Sequence, residues 1–210
     1  MITIYVYVLN TLADWELGHL TSELHSRRYF KKNAKEVEVK TVSVSRETVR
    51  TMGGLAIVPD CTVEEMIVDE TNVLVLPGAD TWMDGQNGAV LEKAGEFLAA
   101  GGTVCAICGA TAALASAGLL DNCHHTSNGP GFLDMFCPDY KGQDFYIDAP
   151  AVEENGLITA GCTAGLLWAK LLIGKLGVFE ADTLEAWYEY FSTGAMDKFF
   201  ALMQTLPSAN

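Results

Sequence analysis

The chain has 210 residues, half of them hydrophobic and 10% aromatic, which is enough to bury a large core in one domain. Its formal charge of −14 argues against nucleic acid as a partner, because neutralising phosphates takes clustered Lys and Arg. The apolar N-terminus carries no basic leader and no small-residue cleavage site, and no apolar run is long enough to span a bilayer. The expectation is a cytoplasmic protein with no membrane partner, whose six cysteines at 61, 105, 108, 123, 137 and 162 are reduced thiols.

In chain order, residues 2–9 read as a first strand, followed by a helix that ends near the basic cluster Arg27, Arg28, Lys31, Lys32 and Lys35, where cations favour its dipole. A second strand is predicted at 37–44 and a hairpin or loop excursion over 49–60. Residues 73–76, stopped by Pro77 and Gly78, form an almost wholly apolar run, as does 103–107; a strand buried on both faces of a parallel sheet has that composition. Between them, 87–100 reads as a helix closed by Gly101 and Gly102. A helix at 110–117 follows, then two C-terminal helices at 163–176 and 182–204, the second rich in aromatics that suit a core or a dimer surface. This alternation implies βαβ units and an α/β fold: a three-layer sandwich with a mostly parallel central sheet flanked by helices on both faces. One domain over 1–210 is expected, with helices 163–204 packed on it.

Active sites of open α/β sheets lie outside the carboxyl ends of the strands, so residues 10–16, 78–84 and Cys108 should share one rim. Cys108 ends a short apolar strand and is followed at once by Gly109, Ala110, Thr111 and Ala112, the small residues that let a helix start directly behind a nucleophile elbow. Helix-start amides beside a thiol are expected to lower its pKa and to stabilise an anion. Cys105 completes a Cys-x-x-Cys spacing but falls inside the strand, which predicts a buried structural thiol. Glu16, in the first turn of the first helix, faces the same rim and is a candidate general acid or base, against the plainer reading that it only favours the helix dipole.

A cysteine nucleophile usually works with an imidazole, and the chain has His19, His25, His124 and His125 alone. No histidine follows residue 125, which excludes an α/β-hydrolase triad with its late His and the late His-x-Glu pair of a glutaminase. His125 is the candidate catalytic partner, with a satisfied structural histidine as the competing reading. No metal site is expected, because adjacent ligands such as His124 and His125 point apart on a strand.

The elbow at 106–110, the Ala117-Gly118-Leu119-Leu120-Asp121 after it, Leu76-Pro77-Gly78 before it and Asp14-Trp15-Glu16 near the start resemble the ThiJ/PfpI superfamily over about residues 1–165. That family includes the parkinsonism-associated deglycase, intracellular protease/amidases and chaperone-like glyoxalases. The resemblance implies a flavodoxin-like, class I glutamine amidotransferase-like sandwich, a reactive Cys108, a Glu16 that hydrogen-bonds it, and an oxyanion hole from the backbone amides of Gly78, Ala79 and Gly109. It also implies a homodimer, a form frequent in that family. Two departures stand out. Many members have a second glycine where this chain has Ala79, and many have a histidine where Asn128 stands, which makes Asn128 the position of a third site member. The Thr126-Ser127-Asn128 segment is closer to a bacterial subgroup of protease/amidases.

Three functions follow from these readings. The first is a cysteine-dependent hydrolase, needing no cofactor, that acts on a small amide, aldehyde or glycated adduct. The second is a redox-sensing stress protein in which an oxidant converts Cys108 to a sulfenic or sulfinic acid. The third is an interaction module without turnover.

Overall fold

The protein is described here by a computed structural model covering residues 1–206. Its elements run β1 (Ile2–Tyr7), α1 (Asp14–Ser26), β2 (Val37–Ser43), β3 (Val49–Arg50), β4 (Ala56–Ile57), β5 (Cys61–Thr62), β6 (Val73–Leu76), α2 (Gly88–Ala99), β7 (Thr103–Ile107), α3 (Gly109–Ser116), α4 (Phe132–Phe136), β8 (Ala151–Glu154), β9 (Leu157–Ala160), α5 (Gly165–Leu176), α6 (Ala181–Thr193) and α7 (Met196–Thr205). Seven strands form one sheet in the order β5-β2-β1-β6-β7-β9-β8, parallel throughout except for β8, which runs against β9. The short β3–β4 hairpin stands apart, where the sequence predicts an excursion.

The apolar runs become the central strands for a simple reason. Every residue of β1, β6 and β7 is buried, and a strand covered on both faces has no position for an exposed polar side chain. The chain moves one way across the sheet from β1 to β2 and the other way from β6 to β7. Right-handed crossovers then put α1 and α2 on opposite faces and close the three layers. On the α1 face, α5 packs against α1, β9 and α6. Among the described residues, no helix is long and apolar enough to cross a membrane.

Two features differ from the expected elements. The single helix expected over 182–204 is two helices, because Gly194 at φ 65° takes the left-handed cap of α6 and donates its N–H to the Tyr190 carbonyl. The β8–β9 hairpin was not anticipated. Asn155 and Gly156, at φ 49° and 88°, supply the two consecutive positive φ angles of a primed turn, and this antiparallel strand finishes the sheet. The aromatics of α6 divide by depth: Trp187 is core and donates its indole N–H to the buried Glu23 carboxylate at 3.1 Å, whereas Phe200 of α7 is exposed.

The change of direction between β1 and β6 opens a crevice at their carboxyl ends. Leu12 forms an antiparallel bridge with Ala79, and the Ala13 N–H donates to the Gly78 carbonyl at 2.8 Å. These contacts tie the segment leading into α1 to the segment leaving β6, with Cys108 beside them at the end of β7.

Candidate active site

Cys108 occupies a strained backbone position. Its φ of 57° and ψ of −124° put a non-glycine residue where L side chains rarely go, and α3 begins at the next residue. The elbow is held from both sides, by the Cys108 N–H donating to the Ala160 carbonyl at 3.0 Å and by the Thr111 hydroxyl donating to the Cys108 carbonyl at 2.6 Å.

Three segments meet at its sulfur. Glu16, fully buried in the first turn of α1, accepts the Gly78 N–H on Oε2 at 2.6 Å. The neighbouring Cys108 thiol favours the ionised form of the carboxyl, while Oε1 is buried with no regular hydrogen-bond partner among the described residues. Gly78 separates the two groups: a Cβ there would stand 2.8 Å from the Cys108 Cβ and 2.9 Å from both Glu16 oxygens. Asn128 completes the set, its Nδ2 donating to Cys108 Sγ at 3.4 Å while its Oδ1 accepts the Cys162 N–H at 2.9 Å. The third-member position marked in the sequence thus reaches the sulfur. It is held there by contacts of its own segment with α3 and β9. Ser127 shares a 2.6 Å hydrogen bond with Thr111 of α3, and the Thr126 N–H donates to the Thr159 hydroxyl at 2.8 Å.

His125 is not brought to Cys108. Its ring is buried, with Nδ1 donating to the Cys123 carbonyl at 2.8 Å and Nε2 accepting the Tyr140 hydroxyl at 2.5 Å. Three residues on, it is the Asn128 side chain that reaches the sulfur. His124 points elsewhere again, onto Glu154 at 2.6 Å.

The expected oxyanion amides divide as well. The Gly78 N–H is committed to Glu16 and orients that carboxyl instead. Gly109 and Ala79 do lie together, since a Cβ on Gly109 would sit 3.0 Å from the Ala79 oxygen and 3.6 Å from its nitrogen. The Gly109 N–H points at the sulfur and favours its anionic form.

Electrostatics correct the expectation of a low-pKa thiol. Burial is the largest influence on Cys108 and pushes it up to about 11, with the Glu16 charge adding to the rise and the Asn128 and Gly109 N–H groups opposing it. Burial likewise raises Glu16 above the usual carboxylate range, against the Gly78 and Cys108 hydrogen bonds. The helix-start amide acts in the expected direction but is outweighed by burial, with the Glu16 charge adding to the same effect. Cys105 is fully buried in β7, and burial raises its thiol further still.

Over the sulfur lies a cavity of about 310 Å³ whose walls come from α1, the segment after β6, α3 and α4. Among the described residues, no cluster of three or more His, Cys, Asp or Glu could hold a metal ion.

Comparison with known proteins matches residues 2–175 to the DJ-1/PfpI family. The chain is 43% identical over 203 residues to "Uncharacterized protease YoaZ" of Bacillus subtilis (strain 168), covering 97% of each chain. It is 29% identical over 178 residues to "Uncharacterized protease YdeA" of the same organism, covering 85% of each. Among solved structures, a thiJ/pfpI family protein from Bacillus anthracis superposes with a TM-score of 0.95 at 42% identity, covering 98% of both chains.

Proposed function

This chain belongs to the DJ-1/PfpI family, and from that premise we propose that it is a cysteine-dependent hydrolase of the protease/amidase type, with Cys108 as nucleophile and Glu16 as its proton acceptor and donor. The observation that carries the reading is the strained Cys108, set between Glu16 and Asn128 on the floor of a cavity.

In this reading the Cys108 sulfur attacks a substrate carbonyl carbon, its proton passes to Glu16, and the carbonyl π electrons move onto oxygen. The neighbouring Ala79 and Gly109 amides are assigned to stabilise that oxyanion, the Gly109 N–H turning to it from the sulfur as the charge moves. Collapse of the intermediate expels the amine, which takes the proton from Glu16 and leaves a thioester. Water then attacks the thioester with Glu16 as base, releasing the acid and restoring the thiol. Asn128 takes the place of an imidazole only in part: its N–H stabilises charge on sulfur but cannot carry a proton away, which gives all proton transfer to Glu16. On a fluorogenic amide, Cys108→Ala is expected to lose about 10³-fold or more in turnover; a variant that keeps its rate sinks the reading.

The unpartnered Glu16 Oε1 supports a second reading, oxidation of Cys108 by a hydroperoxide to a sulfenic acid, with the hydroperoxide reduced to the alcohol or water. A protonated Glu16 would then donate to the new sulfur-bound oxygen. Intact mass after mild peroxide gains one oxygen in the wild type and none at this site in Cys108→Ser under that reading.

A further inference from the structure

The cavity above Cys108 is lined mainly by apolar side chains, with Asp80 and Asn128 the polar exceptions among the described residues. Trp15, Trp82, Phe132 and Phe136 form its sides, and Met52 and Met83 its lip. The aromatic walls are tied down to different degrees, Trp82 most firmly because it is buried. The Trp82 indole N–H donates to the Pro77 carbonyl at 2.8 Å, the Trp15 indole N–H to the Cys162 carbonyl at 3.4 Å, and the Phe132 and Phe136 rings lie with centroids 4.8 Å apart. Aromatic side chains fixed by such contacts lose little freedom when a ligand enters, and the two lip methionines adapt to its shape.

The charge around the cavity is of one sign. Asp80 lines it, Asp14 stands beside Trp15 and Met52 in the adjoining hollow, Glu16 lies beneath, and no Lys, Arg or His is among the lining residues. A carboxylate on a ligand would leave water for an apolar slot without meeting a counter-ion. We infer that this site takes an uncharged carbonyl compound bearing one aromatic or bulky aliphatic group, and turns away carbonyl compounds that carry a carboxylate. The inference rests on the reading of Cys108 as a nucleophile facing a carbonyl, but the pocket's preference is measurable without the sulfur.

The test is an NMR titration of folded Cys108→Ala protein, which forms no covalent adduct, with phenylacetamide, phenylacetate and acetamide. Phenylacetamide is expected to bind at least about tenfold more tightly than either of the others, the difference from acetamide reporting the ring and the difference from phenylacetate reporting the charge. On the same background Phe136→Ala should weaken phenylacetamide about threefold or more, and Met83→Lys should raise the affinity for phenylacetate. Equal binding of phenylacetamide and phenylacetate, no advantage over acetamide, no saturable binding of phenylacetamide, or indifference to both substitutions overturns the proposal. A wild-type protein that binds phenylacetamide in this way yet hydrolyses no aromatic amide overturns the nucleophile reading and leaves the pocket's preference standing.

Discussion

Two buried titratable groups, Glu16 and His125, have opposite surroundings. His125 is satisfied at both ring nitrogens and packs edge-on against Tyr140 and Tyr146. Burial keeps its imidazole below the ordinary value of 6.5 and pushes the Tyr140 phenol up to about 12, so the neutral ring and the phenolic donor persist together across the physiological range. Glu16 is satisfied at one oxygen only and lies beside Cys108, a residue in a strained conformation that itself lines a cavity. A buried polar group with every partner supplied holds loops in place. One left short of a partner, beside stored backbone strain, is held ready for something that arrives.

The sharpest way to break this contrast is at Gly78, the residue that separates the carboxyl from the sulfur. A Cβ there would come within 3 Å of the Cys108 Cβ and of both Glu16 oxygens, so one of these groups would have to shift. Gly78→Ala is expected to lower turnover about 10²- to 10³-fold by displacing Glu16, with a loss of about 1–3 kcal/mol of stability from overpacking. Turnover and denaturant unfolding of the same preparation check both, and a Gly78→Ala protein with wild-type turnover breaks the account of the site.

His125→Ala tests the other side. Two hydrogen bonds and a buried ring are lost, leaving the Tyr140 hydroxyl and Cys123 carbonyl unpaired, for an expected cost of about 2–4 kcal/mol. The sign with pH follows from the depressed imidazole. The neutral ring's stabilisation is present above its unfolded value and is lost as pH falls through the lower folded value, so the cost of the substitution shrinks on acidification. Denaturant titrations at two pH values measure this. Turnover per folded molecule should stay near wild type; a collapse of turnover without a loss of stability would return His125 to the catalytic set.

The sequence made some of this legible and left the rest to distant contacts. The three central strands β1, β6 and β7 could be read because full burial on both faces leaves an almost wholly apolar run, and Cys108 because only small residues let α3 start so close behind it. Asn128 emerged from counting positions against the pattern of a resembled family. The β8–β9 hairpin and the break at Gly194 carry short local signals, Asn155-Gly156 and a lone helix glycine, which a single turn or cap can supply without a longer pattern. Other features had no local signal. That Glu16 would take the Gly78 N–H depends on a rotamer reaching across 62 positions, and the Tyr140 partner of His125 comes from an irregular loop. The elevated thiol pKa depends on how deeply several segments jointly bury the sulfur, which the helix-start argument alone cannot weigh against the amide's smaller opposing effect.

The finest probe of the contrast is the ionisation of the pair itself. With the thiol raised to about 11, only a small thiolate fraction exists at neutral pH, and alkylation by iodoacetamide should accelerate about tenfold per pH unit up to that value. The Glu16 charge is one of the causes holding the thiol up, and Glu16→Gln removes the charge while keeping an oxygen for the Gly78 N–H. The midpoint of the alkylation profile, read by intact mass, should therefore move down in Glu16→Gln. Stability gives an independent sign. A carboxyl raised by burial stabilises the fold below its ordinary value of 4.5 and loses that contribution as pH rises through the folded value, so Glu16→Gln should gain relative to wild type as pH increases. A midpoint that rises instead would mean that Glu16 donates a proton to the thiolate in the resting protein, and the negative charge would then belong on sulfur.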